Sequence, residues 1–269
     1  MSSLWNGYEN EAWLDSPLSK QGSESVSKAL KQLVSITDAY EVKLGLREAS
    51  GVLYHLQLML GKNEVVNLTS IRDPKDALVL HSFDSLLFYK VMSDYFSSSD
   101  SISVLDMGTG GGFPGIPLSC VTDWNLTLLD SVGKKVTACN EFIDQIGMTQ
   151  KSFAVHERLE DYAKAKQFQF DAVCARALAS LDVLIEYGAP YVKKNGYLFF
   201  GKANPEPEEL DNAKKVAKLC GFEHVSRETF ELPEGYGHRE IFVYKKVAKS
   251  AVKLPRKNGE ARRNPLANR

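Results

Sequence analysis

Four glycines within five residues, at 108, 110, 111 and 112, stand between Asp106 and Phe113 in the stretch ISVLDMGTGGGFPGIPL (102–118). Residues without side chains let a backbone turn sharply and come within contact distance of a ligand. The apolar run before them reads as a strand. Pro114 and Pro117 after them suit a loop and a first helical turn, where a fixed φ and a missing N–H cost little. A second acid, Asp130, closes the next apolar run, LTLLD.

The dinucleotide fingerprint G-x-G-x-x-G fits Gly110, Gly112 and Gly115 badly, because its first glycine should follow the strand directly. The better register is Asp106-x-Gly108-x-Gly110-x-Gly112, with the acid ending the strand. An acid beside the turn suits a cationic ligand part better than a pyrophosphate. S-adenosylmethionine carries an ammonium and a sulfonium and no phosphate, so Asp106, Gly108 and Gly110 become candidate methyl-donor residues. Asp130 has two readings: a carboxylate accepting from both hydroxyls of a ribose, or a cap on a helix near Val132.

Other polar residues call for a role. Arg176 ends a buried strand, where a charge needs a partner or a ligand. His81 and Asp84 share a helix face as a catalytic pair or, the preferred reading, as a clamp between helices and core. His238 and Arg239 reach a polyanion or bridge a neighbouring loop. Lys134 and Lys135 read as a solvated helix face first and a phosphate contact second. Cys120, Cys139, Cys174 and Cys220 show no C-x-x-C spacing, so neither a zinc site nor a disulfide framework is expected. A reducing, intracellular compartment follows. Apolar runs are too short for a bilayer, and the first residues resemble no signal peptide.

The elements that must position these residues follow from periodicity. Residues 1–24 are expected to be an unstructured tail, and 25–100 a helical appendage, with Val26, Leu30, Leu33 and Val34, then Val52, Leu53, Leu56, Met59 and Leu60, at helical spacing. Asp73 and Pro74 read as N-cap and first residue of a third helix. Strand-like runs at 102–106, 125–130, 151–156, 169–175, 196–201, 222–230 and 239–245 alternate with helices within a 101–247 core. This predicts an α/β fold with a mostly parallel seven-stranded sheet. The last two strands, joined by a loop, are expected antiparallel. The net charge of −1 conceals an asymmetry: nine Lys and Arg against Glu260 make 245–269 strongly basic, and 248–269 is expected to be a flexible tail. A polyanionic partner and a solubilising tail are equally compatible with that charge.

The segment 51–245 resembles the bacterial small-subunit rRNA (guanine-N7) methyltransferases known as RsmG or GidB. Its motifs stand here as NLTSIRD (67–73), HSFDS (81–85), DMGTGGGFPGIPL (106–118), LLDSVGKKV (128–136), RLEDY (158–162), ARALASL (175–181) and HREIFVYKK (238–246). The resemblance implies a Rossmann-like S-adenosylmethionine-dependent methyltransferase fold with added N-terminal helices, acting in the cytoplasm as a monomer on N7 of one guanine in 16S rRNA or the small subunit. It implies that Gly108 and Phe113 contact the donor, that Leu159 and Glu160 flank its adenine, and that Arg176 closes the site. Arg158 and Lys202 fall where the family keeps basic residues at the mouth, and with Arg239 they are candidate RNA contacts. Gly111 and Ala203 replace a proline and a glycine common in the family. No metal is implied, and no catalytic base, because guanine N7 carries a lone pair and no proton. The competing readings are an assembly factor that binds RNA with a vestigial donor pocket, and an NAD-dependent oxidoreductase.

Overall fold

The computed structural model describes residues 23–269, with side chains from 27 onward. The unstructured segment expected over 1–24 lies outside the described residues, except that Ser23 and Glu24 open the first helix. Helices α1 (Ser23–Ala39), α2 (Leu46–Lys62), α3 (Pro74–Ala77) and α4 (Asp84–Met92) precede the first strand. Asp73 caps α3 as its type predicts, its Oδ1 accepting the Lys75 and Asp76 N–H groups while Pro74 opens the helix. A π-helical segment, Leu78–Phe83, joins α3 to α4 without a break. Such segments widen a helix locally and re-aim its side chains.

Strands β1 (Ser103–Met107), β2 (Asn125–Asp130), β3 (Ser152–His156), β4 (Phe170–Arg176), β5 (Val192–Lys202), β6 (Phe222–Glu231) and β7 (His238–Lys246) form one sheet in the order β3-β2-β1-β4-β5-β7-β6. The first five run parallel, and β7 lies antiparallel between β5 and β6. Strand boundaries follow the sequence closely except at β5. Its polar start, Lys193-Lys194-Asn195-Gly196, hides a strand that pairs Val192 with Phe170 before a register shift. Asn195 sits at φ 67° at that irregularity.

Alternate residues feed two cores, because side chains on a strand point to opposite faces. Val104, Leu126, Leu128, Cys174 and Phe199 pack with α2, α4, α5 (Gly115–Val121) and α6 (Gly133–Ile146). Leu105, Leu129, Val173, Leu198 and Phe200 pack on the other face with α8 (Leu181–Gly188) and α9 (Pro207–Cys220). Helix coverage of both faces is what a parallel sheet requires. The appended helices therefore complete one face of the core.

Residues 248–269 correct the expectation of a loose tail. The Ala248 and Ala251 N–H groups donate to Gly221 and Leu219 carbonyls, and the short helix α10 (Glu260–Arg263) follows. Ala261 and Leu266 are buried in the second core. The Arg256 guanidinium donates to both Glu186 oxygens at 2.7 and 2.5 Å, with both side chains more than nine-tenths buried. Two apolar anchors and one buried ion pair thus hold a segment whose composition is otherwise that of a solvated chain.

Candidate active site

Between β1 and β4 the chain changes direction across the sheet, and the loops leaving those strands part to form a crevice at their carboxyl ends. The glycine turn occupies one wall. Gly108 and Thr109 N–H both donate to the Leu129 carbonyl, at 2.7 and 3.2 Å, which ties the turn to β2. Asp130 holds the turn from β2, its Oδ2 accepting Gly110 N–H at 3.0 Å and its Oδ1 accepting Val132 N–H at 2.9 Å. Asp130 does not cap α6, whose N-cap is Val132; it ties the chain before that helix to the glycine turn, and it lines the cavity.

Asp106 is placed differently from its expected role. It is fully buried beneath the turn, with Oδ2 accepting the Thr109 hydroxyl at 2.6 Å and Gly115 N–H at 3.0 Å. Burial pushes its carboxyl up to about 6, although those two hydrogen bonds and Arg176 oppose the rise. It staples the ends of the glycine turn and does not line the cavity. Its Oδ1 is buried without a hydrogen-bond partner.

The cavity beyond the turn has a volume of about 410 Å³. Gly108, Gly110 and Asp130 line one side, and Arg158, Leu159 and Glu160, at the start of α7 (Leu159–Ala165), line another. Gly108 has a φ of 70°, and a Cβ there would come within 2.7 Å of Leu178 Cδ1, so glycine keeps this wall open. Lys135, Glu157, Ala177, Leu178, Tyr187, Gly259 and Arg262 also line it; of these Ala177 and Leu178 stand in the ARALASL motif, and Lys135, read first as a solvated helix residue, reaches the cavity wall. In sequence Gly259 and Arg262 fall in PRKNGEARRNPL (255–266), a stretch that signals flexibility and resembles the basic C-terminal extension of many GidB-family members. The open cradle, an acid at the end of β2 and apolar side chains from Leu159 and Leu178 fit a nucleoside with a cationic substituent.

Phe113 and Arg176 lie outside this cavity. The Phe113 ring stacks on His81 at 4.9 Å and packs on His55 at 4.4 Å, with the Arg176 guanidinium 5.6 Å from its centroid. It is 6% exposed and reads as the core of the turn. Arg176 instead lines a second cavity of about 400 Å³ with His81, Asp84, Phe88, Lys202 and Arg239. Its Nη1 donates to Asp84 Oδ2 and to the Leu80 carbonyl, both at 2.8 Å, and Arg239 Nε donates to Asp84 Oδ1 at 3.1 Å. One carboxylate thus orders two guanidinium groups. Lys202 is held by Glu209 at 2.8 Å. His238 bridges Glu231, at the end of β6, and Glu240, on its own strand β7, so its contacts lie within the sheet edge and not to a loop.

Two imidazoles tie the appended helices to this site. His81 Nδ1 lies 3.2 Å from Arg176 Nη2, which can only donate, so Nδ1 accepts and the proton sits on Nε2, 2.9 Å from Thr69 Oγ1. Burial first, then the charges of Arg176 and His55, lower its pKa to about 3. His55, wholly buried, is also lowered to about 3 by burial, and its Nε2 bonds the Gly111 carbonyl at 3.0 Å. His81 and Asp84 therefore clamp helix to core, and they do so from the wall of a cavity.

The two cavities share Ala177, the residue after β4, which turns the chain at φ 52°. Among the described residues no group of His, Cys, Asp or Glu is arranged to hold a metal ion, and no helix is long and apolar enough to cross a membrane. All four cysteines are buried and unpaired.

Comparison with known proteins bears on this geometry. The solved structure of P. horikoshii TYW2 in complex with MeSAdo superposes with a TM-score of 0.51 at 14% identity, over 62% of this chain and 63% of that one. The cyclase SpnF does so with a TM-score of 0.50 at 13% identity, over 75% of this chain and 96% of that one. These likenesses concern the fold. In sequence, the chain is 36% identical over 214 residues to ribosomal RNA small subunit methyltransferase G of Staphylococcus aureus strain Newman, covering 79% of this chain and 87% of the relative. It is 33% identical over 263 residues to the protein of the same name from Staphylococcus haemolyticus, covering 97% and 98%. The model of the GidB family, rRNA small subunit methyltransferase G, matches residues 50–241, which include the glycine turn, both cavity walls contributed by β4 and the His81–Asp84 clamp, and the chain belongs to that family.

Proposed function

We propose that the protein transfers the methyl group of S-adenosylmethionine to N7 of a guanine in the RNA of the small ribosomal subunit. The observation that carries this reading is the pair of cavities that share Ala177 in their walls, one lined by the glycine turn and Asp130, the other by ordered guanidinium groups. In the first, Gly108, Gly110, Asp130, Leu159 and Glu160 would hold the donor, which supplies a methyl group on a positively charged sulfur. In the second, Phe88, Ile71 and Leu80 offer apolar contact to a base, and Arg176 and Arg239 offer donors to O6 or to phosphate oxygens.

Guanine N7 attacks with an in-plane lone pair, so no proton has to leave before the bond forms. The chain's task is alignment, and orientation of two reactants can supply much of a barrier reduction. The imidazoles beside the site fit this economy, because both are held neutral and committed to structural hydrogen bonds. A base stacked in RNA does not reach such a cavity, so the acceptor must be unpaired or flipped out.

Thermal-shift measurements with S-adenosylmethionine, its demethylated product and NAD test the donor. Stabilisation by the first two is expected, and stabilisation by NAD alone would overturn the reading. Transfer of label from the donor to small subunits or naked 16S rRNA separates an active enzyme from an assembly factor with a vestigial pocket.

A further inference from the structure

The C-terminal segment enters the donor cavity. Gly259 N–H donates to Glu160 Oε1 at 2.6 Å, Asn258 Nδ2 donates to Asp161 Oδ2 at 2.6 Å, and Arg262 Nη2 donates to the Leu178 carbonyl at 2.8 Å. The first two hydrogen bonds grip the opening turn of α7, and the third grips the loop after β4. Arg262 also interacts with Tyr187, a further residue of the cavity wall. Together they span the cavity from one lip to the other.

We infer that residues 255–266 are a working part of the donor site, a clasp in which Gly259 positions Glu160 and Arg262 forms the wall opposite the glycine turn against a heteroaromatic ring. The inference rests on the methyl-donor reading above and adds to it residues outside the 50–241 family match. Three observations carry it. The Gly259 hydrogen bond occupies one oxygen of Glu160 and fixes the carboxylate's orientation, leaving Oε2 to accept from an exocyclic amine. Arg262 brings a planar guanidinium, a group that stacks on aromatic faces, to a cavity whose lining also holds Leu159, Leu178 and Tyr187. The clasp is anchored independently of any ligand by the Arg256–Glu186 pair and by Ala261 and Leu266, so it is in place before the donor arrives.

Calorimetry of S-adenosylmethionine binding to the full chain, to Arg262→Ala and to Arg262→Lys tests the clasp. Arg262 is exposed and the segment is anchored elsewhere by Arg256, Ala261 and Leu266, so its replacement should leave the chain folded. The expected result is a rise of about tenfold in the dissociation constant for Arg262→Ala, equivalent to about 1.4 kcal/mol, with partial recovery in Arg262→Lys because a cation returns without its plane. A second readout is independent of affinity: saturating donor should slow tryptic cleavage after Lys257, Arg262 and Arg263 in the full chain. Unchanged affinity in Arg262→Ala together with undiminished cleavage under donor would overturn the clasp while leaving the donor reading intact. A full chain that binds no S-adenosylmethionine would overturn both.

Discussion

Asp84 accepts hydrogen bonds from two arginines at once, and it is the residue on which the second cavity depends. Asp84→Ala leaves Arg176 and Arg239 beside each other without their counter-charge, and breaking such a buried pair costs about 3 kcal/mol. Because Arg176 lines the second cavity and not the first, methyl transfer should fall by about a hundredfold, as expected when alignment fails, while the donor dissociation constant stays within about twofold. Calorimetry and single-turnover transfer separate the two effects. His81 and His55 make a second prediction. Their folded pKa values are lowered to about 3 from an ordinary 6.5, so the stability they confer is fully present above pH 6.5 and is lost as pH falls toward 3. Replacing His81 by Gln should flatten the dependence of unfolding free energy on pH across that window by up to about 1.4 kcal/mol per pH unit. Urea unfolding at several pH values reads this directly, and an unchanged slope would mean the imidazole is not buried neutral. At this scale residue types are legible in sequence but their directions are not. Asp106 and Asp130 look alike beside a glycine turn, and only folding shows that one staples the turn from below while the other faces the cavity.

In the proposed donor site the glycine turn is the element that would carry the donor. Gly108 and Gly110 both have positive φ, at 70° and 60°, but only at Gly108 would a Cβ strike a neighbour, whereas at Gly110 the nearest atom is 4.0 Å away. Gly110→Ala should therefore cost only the strain of a left-handed residue, about 1–2 kcal/mol of stability. Gly108→Ala should add to that a displacement of Leu178, which lines the cavity, and weaken donor binding by about tenfold relative to the parent chain, an effect calorimetry resolves. A donor affinity in Gly108→Ala equal to that of the parent chain would place the donor elsewhere. The strands and the turn are readable because apolar alternation and glycine clustering are local signals. The π-helical segment at Leu78–Phe83 is not, because one wider turn leaves composition and approximate helical spacing unchanged, yet it sets how His81 and Asp84 meet Arg176. The start of β5 is hidden for a related reason: its lysines and Asn195 carry a turn-like composition over a paired strand.

Over the whole molecule, charge and packing are coupled in a way composition does not reveal. The basic C-terminal segment is legible as a charge, compatible with a polyanionic partner or a solubilising tail, but its docking depends on a few anchors, Arg256, Ala261 and Leu266, scattered among solvated residues. Lys249, Lys253 and Lys257 remain exposed along it. Replacing these three by Gln should weaken binding to small-subunit RNA and reduce the slope of log K against log salt by about 0.7 to 0.9 for each phosphate left without its lysine. A slope equal to that of the parent chain would mean that none of them touches phosphate. The identity of the methylated atom decides the proposed function. Small ribosomal subunits or their naked RNA, reacted with labelled S-adenosylmethionine and digested to nucleosides, should yield label in N7-methylguanine at one position of the 16S rRNA. Label on an exocyclic amine, on a ribose or at many scattered guanines, or no label in RNA at all, would contradict it.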